Sequence, residues 1–288
     1  MTEKSHLIDY GSQNVQGITF SIPHKNPARG SDPRARFKAA LAHLVISGLV
    51  AAFVALLVFL VWYPSHIRDM VGGRELFILV MGVDIVMGPL LTFVVFSNKK
   101  TFSHLAKDLA VIGALQLAAL GFGLNTVLLA RPVHINFEID RLRVVTAAEI
   151  DPASLKDAPS ALQTLPLWGP LRIASVKPKD PQAQLKSLDL ALAGYDLHQQ
   201  PVTWMAFNEE RKSALWGAAT PIDKLQTRWA KNVPALKKLN TAIFQLGDPK
   251  GLSTVKFRAI PILSTRASWT GIINEQGDLL ATLDEDLF

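Results

Sequence analysis

Residues 39–63 read AALAHLVISGLVAAFVALLVFLVWY, 25 residues without an Asp, Glu, Lys or Arg. A helix rises about 1.5 Å per residue, and a bilayer core of about 30 Å takes roughly 20 apolar helical residues to cross. A helix buried in a soluble core more often stops at about 10–14. Two further stretches pass the same test. Residues 76–96, LFILVMGVDIVMGPLLTFVVF, are 21 residues with a single charge, Asp84, and residues 109–130, LAVIGALQLAALGFGLNTVLLA, are 22 with none. Nothing comparable follows Arg131. The expectation is a membrane protein whose three-helix transmembrane bundle occupies residues 39–130. The first stretch does not read as a cleavable signal peptide, being too long and ending in Trp62 and Tyr63, which read as interfacial anchors.

Whole-chain composition agrees. Of 288 residues, 49% are hydrophobic and 19% charged, against about 25% charged in typical soluble domains. Disorder along the whole chain is excluded, since so much apolar surface demands burial. The chain has no cysteine, which excludes a disulfide framework, a thiol nucleophile and Cys-ligated zinc. The net charge of +6 divides into +3 for residues 1–38, +1 for 39–130 and +2 for 131–288. It therefore records topology more than a basic binding face, and nucleic-acid binding gets no support. Lys4, Lys25, Arg29, Arg34, Arg36 and Lys38 precede the first span, and Lys99, Lys100 and Lys107 lie between the second and third. The loop between the first two holds only Arg68 and Arg74. By the positive-inside rule the amino terminus is cytoplasmic and everything after Ala130 is outside. Residues 1–38 read as a flexible cytoplasmic tail.

Residues 131–288 read as an α+β domain. Val133, Ile135, Phe137 and Ile139 alternate with His134, Asn136 and Glu138, the period of a half-buried strand that starts directly from the third span. On that reading His134 is a surface residue. Residues 171–176 read as a second strand. Asp180-Pro181 opens a helix whose Leu185, Leu188 and Leu192 share a face and which Gly194 ends. Further helices are expected over 208–219, 221–230 and 234–246. Extended segments are expected over 254–263 and 268–273, with 274–278 as a hairpin connection into 279–283. Residues 247–251 read as a turn.

No HExxH, GxSxG, Walker A, GxGxxG or EF-hand pattern occurs, and the seven histidines form no ligand spacing. No enzyme activity, cofactor or metal is expected. Asp84 is the sharpest single residue, because a carboxylate in a membrane helix costs at least about 2.5 kcal/mol and marks either a function or an internal partner. Counted from the span ends, Asn125 is nearest to it in depth and His43 is too far. An internal clasp of Asp84 with Asn125, or with backbone near Gly121 and Gly123, competes with a partner-binding role. Gly88-Pro89 follows on the same helix. Proline removes a donor there, and the freed carbonyl must be satisfied within the bundle or by Thr92. The small residues Gly82 and Gly88 allow close helix approach.

Several of these segments together resemble the TfpX/TfpZ family of type IV pilin accessory proteins. They are Trp62-Tyr63-Pro64, Gly82-Val83-Asp84, Gly88-Pro89-Leu90-Leu91-Thr92, Asp108-Leu109-Ala110-Val111-Ile112, Ala130-Arg131-Pro132, Phe137-Glu138-Ile139-Asp140-Arg141, Trp168-Gly169-Pro170 and Ile260-Pro261-Ile262 with Trp269. The resemblance covers about residues 37–288. It implies a multi-pass protein of the bacterial inner membrane with a periplasmic α+β domain. It also implies a chaperone-like role in the stability, assembly or dynamics of a cognate type IV major pilin. The implied partners are that pilin, membrane lipid and the pilus assembly machinery. A groove for the pilin helix would then be lined by Gly82, Asp84, Gly88, Pro89, Thr92 and Asn125. Trp204, Trp216, Trp229 and Trp269 are candidates for contact with the pilin head, although a tryptophan in a domain of this size more often belongs to the core. Two other classes compete: a membrane-anchored sensor, which needs a deep ligand pocket within 131–288, and a membrane enzyme using Asp84, which needs further polar groups at its depth.

Overall fold

Three long helices rise from the apolar stretches, each starting where a cap or a turn allows. In the computed structural model, which describes residues 32–63, 67–97, 99–247 and 256–288, α1 spans Pro33–Leu57. The Asp32 carboxylate accepts from the Arg34 N–H, and Pro33 takes the first position, where no donor is needed. A π-helical turn, Val58–Trp62, continues it. Helix α2 (Gly73–Val95) starts behind Gly72, whose φ of 72° places it in the left-handed region. Helix α3 is Phe102–Leu129. All three are long and apolar enough to cross a membrane. Helix α1 begins six residues ahead of the apolar stretch, so Arg34, Arg36 and Lys38 sit on its first turns. Helix α2 packs against both α1 and α3.

The sheet domain follows without a linker. Strand β1 (Pro132–Glu138) leaves α3 after two residues and pairs antiparallel with β2 (Arg141–Thr146) and parallel with β3 (Leu171–Ser175). Short 3-10 turns occupy much of 147–162. Helix α4 (Pro181–Leu192) leads to β4 (Trp204–Ala206). Then come α5 (Glu209–Ala218), β5 (Thr220–Pro221), α6 (Ile222–Arg228) and α7 (Val233–Gln245), and finally β6 (Arg258–Leu263), β7 (Ser268–Ile273) and β8 (Leu279–Leu283). The sheet order is β4-β3-β1-β2-β6-β7-β8, with β5 added on β6. Expectations that fall on residues 1–31, Pro64, His66, the turn beyond Gly247 and the start of the 254–263 strand lie outside the described residues.

One apolar core runs through both parts. Val54, Val58, Tyr63, Ile67, Met70 and Val127 from the helical part join Ile135, Phe137, Leu142, Val144, Ile260 and Ile262 of the sheet in a single buried cluster. Polar ties reinforce it. Tyr63 Oη donates to the Val127 carbonyl at 2.8 Å, Ser264 Oγ to the Met70 carbonyl at 2.9 Å, and the Ala147 N–H to the Arg131 carbonyl at 3.0 Å. The sheet is thereby held directly on the ends of the helices.

The half-buried reading of β1 is corrected by this arrangement. Every residue of β1 is buried, and His134 has no exposed surface. Beta1 lies inside the sheet, and the face expected to meet water is covered by Trp204 and the segment before it. The His134 ring meets Trp204 edge-on, with centroids 4.7 Å apart.

Candidate functional site

The helical part contains a cleft of about 240 Å³ whose walls are α1 and α3 and whose floor is α2. His43, Ser47, Val50 and Ala51 line it from α1, Met81, Asp84 and Ile85 from α2, and Gly113, Gln116 and Leu117 from α3. The floor follows from helical periodicity. At about 100° per residue, Met81, Ile85, Gly88 and Thr92 fall on one stripe, with Asp84 at its edge. The deep end is polar. His43 Nδ1 and Thr92 Oγ1 share a hydrogen bond of 2.6 Å, and Gln116 Nε2 donates to the Asp84 carbonyl at 3.4 Å. That carbonyl is one residue from the Ile85 carbonyl, which Pro89 leaves without its helical donor. A Cβ on Gly88 would collide with the Gln116 amide and crowd the His43 ring. The small residue there serves the chain's own packing.

These positions change the reading of Asp84. The clasp with Asn125 is absent: Asn125 is exposed on α3, and among the described residues the Asp84 carboxylate has no hydrogen-bond partner. Depth explains the difference. Asp84 lies eleven residues, about 16 Å, below the start of α2 at Gly73, whereas Asn125 lies four residues, about 6 Å, from the end of α3. Gln116, thirteen residues from that end, reaches Asp84's level. His43, nineteen residues below Trp62, lies at the level of Thr92 and not of Asp84; it bonds Thr92 and lines the far end of the same cleft.

The six expected groove residues therefore do not line one surface. Asp84 borders the cleft, while Gly88 and Thr92 are buried beneath it against Gln116 and His43. Gly82 and Pro89 share a different face of α2, about 100° round from the buried stripe, and a Cβ on Gly82 would meet nothing. His43, Gln116 and Gly113 are the residues that sequence reasoning missed. Gln116 was legible as one of two amides, with Asn125, in an otherwise apolar run.

A second surface lies on the sheet domain. Helix α4 has no buried residue, and Leu185, Leu188 and Leu192 are all exposed. Beside them Ile139, itself exposed, occupies the β1–β2 turn with φ of 58°. A β-branched residue in the left-handed region is strained. Ile139, Leu185 and Leu188 border a solvent-open cleft of about 610 Å³ that also includes Glu138, Lys177 and Gln200. The candidate tryptophans belong to the core, the commoner place for them. Trp204 is buried, and Trp216, Trp229 and Trp269 pack against the apolar clusters.

Beneath this surface lies a polar cluster. His198 Nδ1 is 3.3 Å and Arg143 Nε 3.6 Å from Glu138 Oε2, and His198 Nε2 is 3.9 Å from Glu149 Oε2. Burial pushes the Glu138 carboxyl up, but contact with His198 and the charges of Arg143 and Arg141 outweigh it and hold the carboxyl below the usual range. Asn136 Nδ2 donates to Ser175 Oγ at 2.8 Å. The cluster joins β1, β2 and the segment before β4, and so holds the turn that presents Ile139.

A family profile described as Fimbrial assembly protein FimB matches residues 31–72, which include α1. A "Fimbrial assembly protein, serogroup I" from Dichelobacter nodosus is 30% identical over 247 residues, covering 85% of this chain and 93% of that protein. The chain belongs to the FimB family of fimbrial assembly proteins. Family membership extends through the sheet domain, since the serogroup E1 protein of the same organism is 28% identical over the same shares of both chains. The protein of serogroups C1 and C2 is 38% identical over 108 residues, 38% of this chain. No solved structure matches.

Proposed function

We propose that this chain is a non-catalytic accessory protein of the bacterial inner membrane, of the TfpX/TfpZ kind, that binds a cognate type IV pilin and supports its assembly. Its three helices span the membrane with the amino terminus in the cytoplasm and the sheet domain in the periplasm. The cleft between α1 and α3 receives an apolar helix of the pilin, and the α4–Ile139 surface receives its head. The cleft carries this reading. Ser47, Ala51 and Gly113 are small, so a helix can approach closely, and the chain is related over most of its length to fimbrial assembly proteins. Two linked contacts raise effective concentration and selectivity together.

The test is photo-crosslinking in cells that make the pilin, with the reactive residue placed at Leu117, at Leu188 or at Lys224. Leu117 and Leu188 should yield pilin adducts and Lys224 none. Folded protein that captures no pilin at either position, or captures unrelated pilins equally, would sink the proposal.

A further inference from the structure

The loop between the 3-10 turns and β3 stands out for what it exposes. From Ala158 to Leu171 the chain has no Asp, Glu, Lys or Arg, yet two of its largest apolar side chains face outward. Leu167 is 58% exposed and Trp168 is 79% exposed. Neither belongs to the sheet core, to the cleft or to the α4 surface.

Both ends of this short exposed segment are tied to helix ends. On one side Arg131, which follows α3, reaches the Pro166 carbonyl with Nε at 3.4 Å and Nη2 at 3.3 Å, while its Nη1 holds the Leu128 carbonyl at 2.6 Å. On the other side the Gly169 N–H donates to the Val61 carbonyl at 2.9 Å. Gly169 has φ of 59°, a conformation a side chain would resist, and it turns the chain back toward β3. Leu167 and Trp168 are thus held level with the last turn of the first long helix. At that level Leu60 also points outward and Trp62 is half-buried, whereas Tyr63, expected as a second interfacial anchor, is buried in the core.

We infer that Leu167 and Trp168 form a lipid-binding wedge that enters the outer boundary of the bilayer and seats the sheet domain on the membrane surface. The inference rests on reading the three long helices as membrane spans. The occupant is phospholipid because the depth is that of the apolar helix ends, the segment has no charge to desolvate, and tryptophan prefers the boundary between acyl chains and headgroups. Three hydrogen bonds through Arg131 and Gly169, with Arg131 itself held to the end of α3, fix the wedge before any lipid arrives, so little ordering remains to oppose its insertion.

The chain has no cysteine, so single-cysteine variants of the full protein carry no background. Trp168→Cys, Leu49→Cys and Leu188→Cys are each labelled with an environment-sensitive NBD dye and reconstituted into phosphatidylcholine–phosphatidylglycerol vesicles. Lipid-attached spin labels and aqueous iodide then serve as quenchers. The dye at position 168 should shift to the blue, lose emission to a shallow lipid-attached quencher and resist iodide. The dye at 188 should show the reverse, and the dye at 49 should respond to a deep lipid-attached quencher. A dye at 168 that behaves like the one at 188, while the one at 49 senses lipid, overturns the wedge alone. A dye at 49 that fails to sense lipid overturns the membrane reading beneath it. In cells, a crosslinker at 168 that captures protein and not lipid also overturns the wedge.

Discussion

Replacing His134 by phenylalanine should flatten the acid sensitivity of the fold. The His134 ring is fully buried, neither nitrogen has a hydrogen-bond partner among the described residues, and its edge contact is with Trp204. Burial pulls its pKa down from 6.5 to about 4. The unfolded chain therefore takes up this proton before the folded one does. Stability is undiminished above about pH 6.5, falls progressively as the pH drops toward 4, and loses nothing further from this group below that. At about 1.4 kcal/mol per pKa unit, the loss across that window is about 3 kcal/mol, a large part of a typical 5–15 kcal/mol. His134→Phe keeps a ring against Trp204, removes the titration and removes two unpaired polar atoms, so the variant should also gain stability at neutral pH. Glu138 contributes acid sensitivity of its own: its depressed pKa supports the fold above the ordinary carboxylate range and that support fades as the pH falls through it. This contribution is common to both chains and cancels in their difference. The assay is unfolding of the detergent-solubilised protein, followed by tryptophan fluorescence and by circular dichroism, at half-unit steps from pH 7.5 to 4. The stability difference between variant and parent should widen by about 3 kcal/mol from neutral pH to pH 4. A difference that stays constant over that range would refute the assignment of a buried, neutral His134.

Other substitutions probe the remaining features. Gly88→Leu must displace Gln116 and His43 and should sharply lower the yield of folded protein, whereas Gly82→Leu, with nothing near its Cβ, should leave the yield unchanged; size-exclusion profiles decide. Asp84→Ala removes a carboxylate without a hydrogen-bond partner from an apolar cleft, so folded levels should hold while pilin co-purification falls; a fall in both would restore a structural role. Ile139→Asn should relieve left-handed strain and raise stability by about 1 kcal/mol, while weakening pilin capture at the α4 surface. Tyr63→Phe loses the hydrogen bond to the Val127 carbonyl and should cost about 1 kcal/mol in the same unfolding assay.

The local elements were legible because their signals are local. Apolar length identified the three long helices, Asp180-Pro181 opened α4, alternation placed β1, and the segments read as extended placed β3 and β7, each strand within a residue or two of its observed bounds. Strand β2 was missed because the turn that folds β1 back holds Ile139 at positive φ, where Gly or Asn is usual, and Asp140 alone is a weak turn signal. The α4 leucines were legible as a shared face. Periodicity states that a face exists and not what covers it, and here the chain leaves it open.

The candidate site divides along the same line. The sequence by itself determined that three apolar helices precede an α+β domain, and that a carboxylate sits within one of them, because length, hydropathy and charge act residue by residue. It marked Gly88 as a close-approach position, since only a missing side chain permits one. Only the tertiary structure decided what approaches: Gln116 and His43 of the same chain. It also decided that Asp84 opens onto a cleft instead of meeting Asn125, that His134 is buried, and that Leu167 and Trp168 stand at the level of the helix ends. Each of these depends on where one helix stops relative to another and on which element covers a sheet face. Such relations are set by packing between residues far apart in the chain, and no periodicity within a single segment carries them.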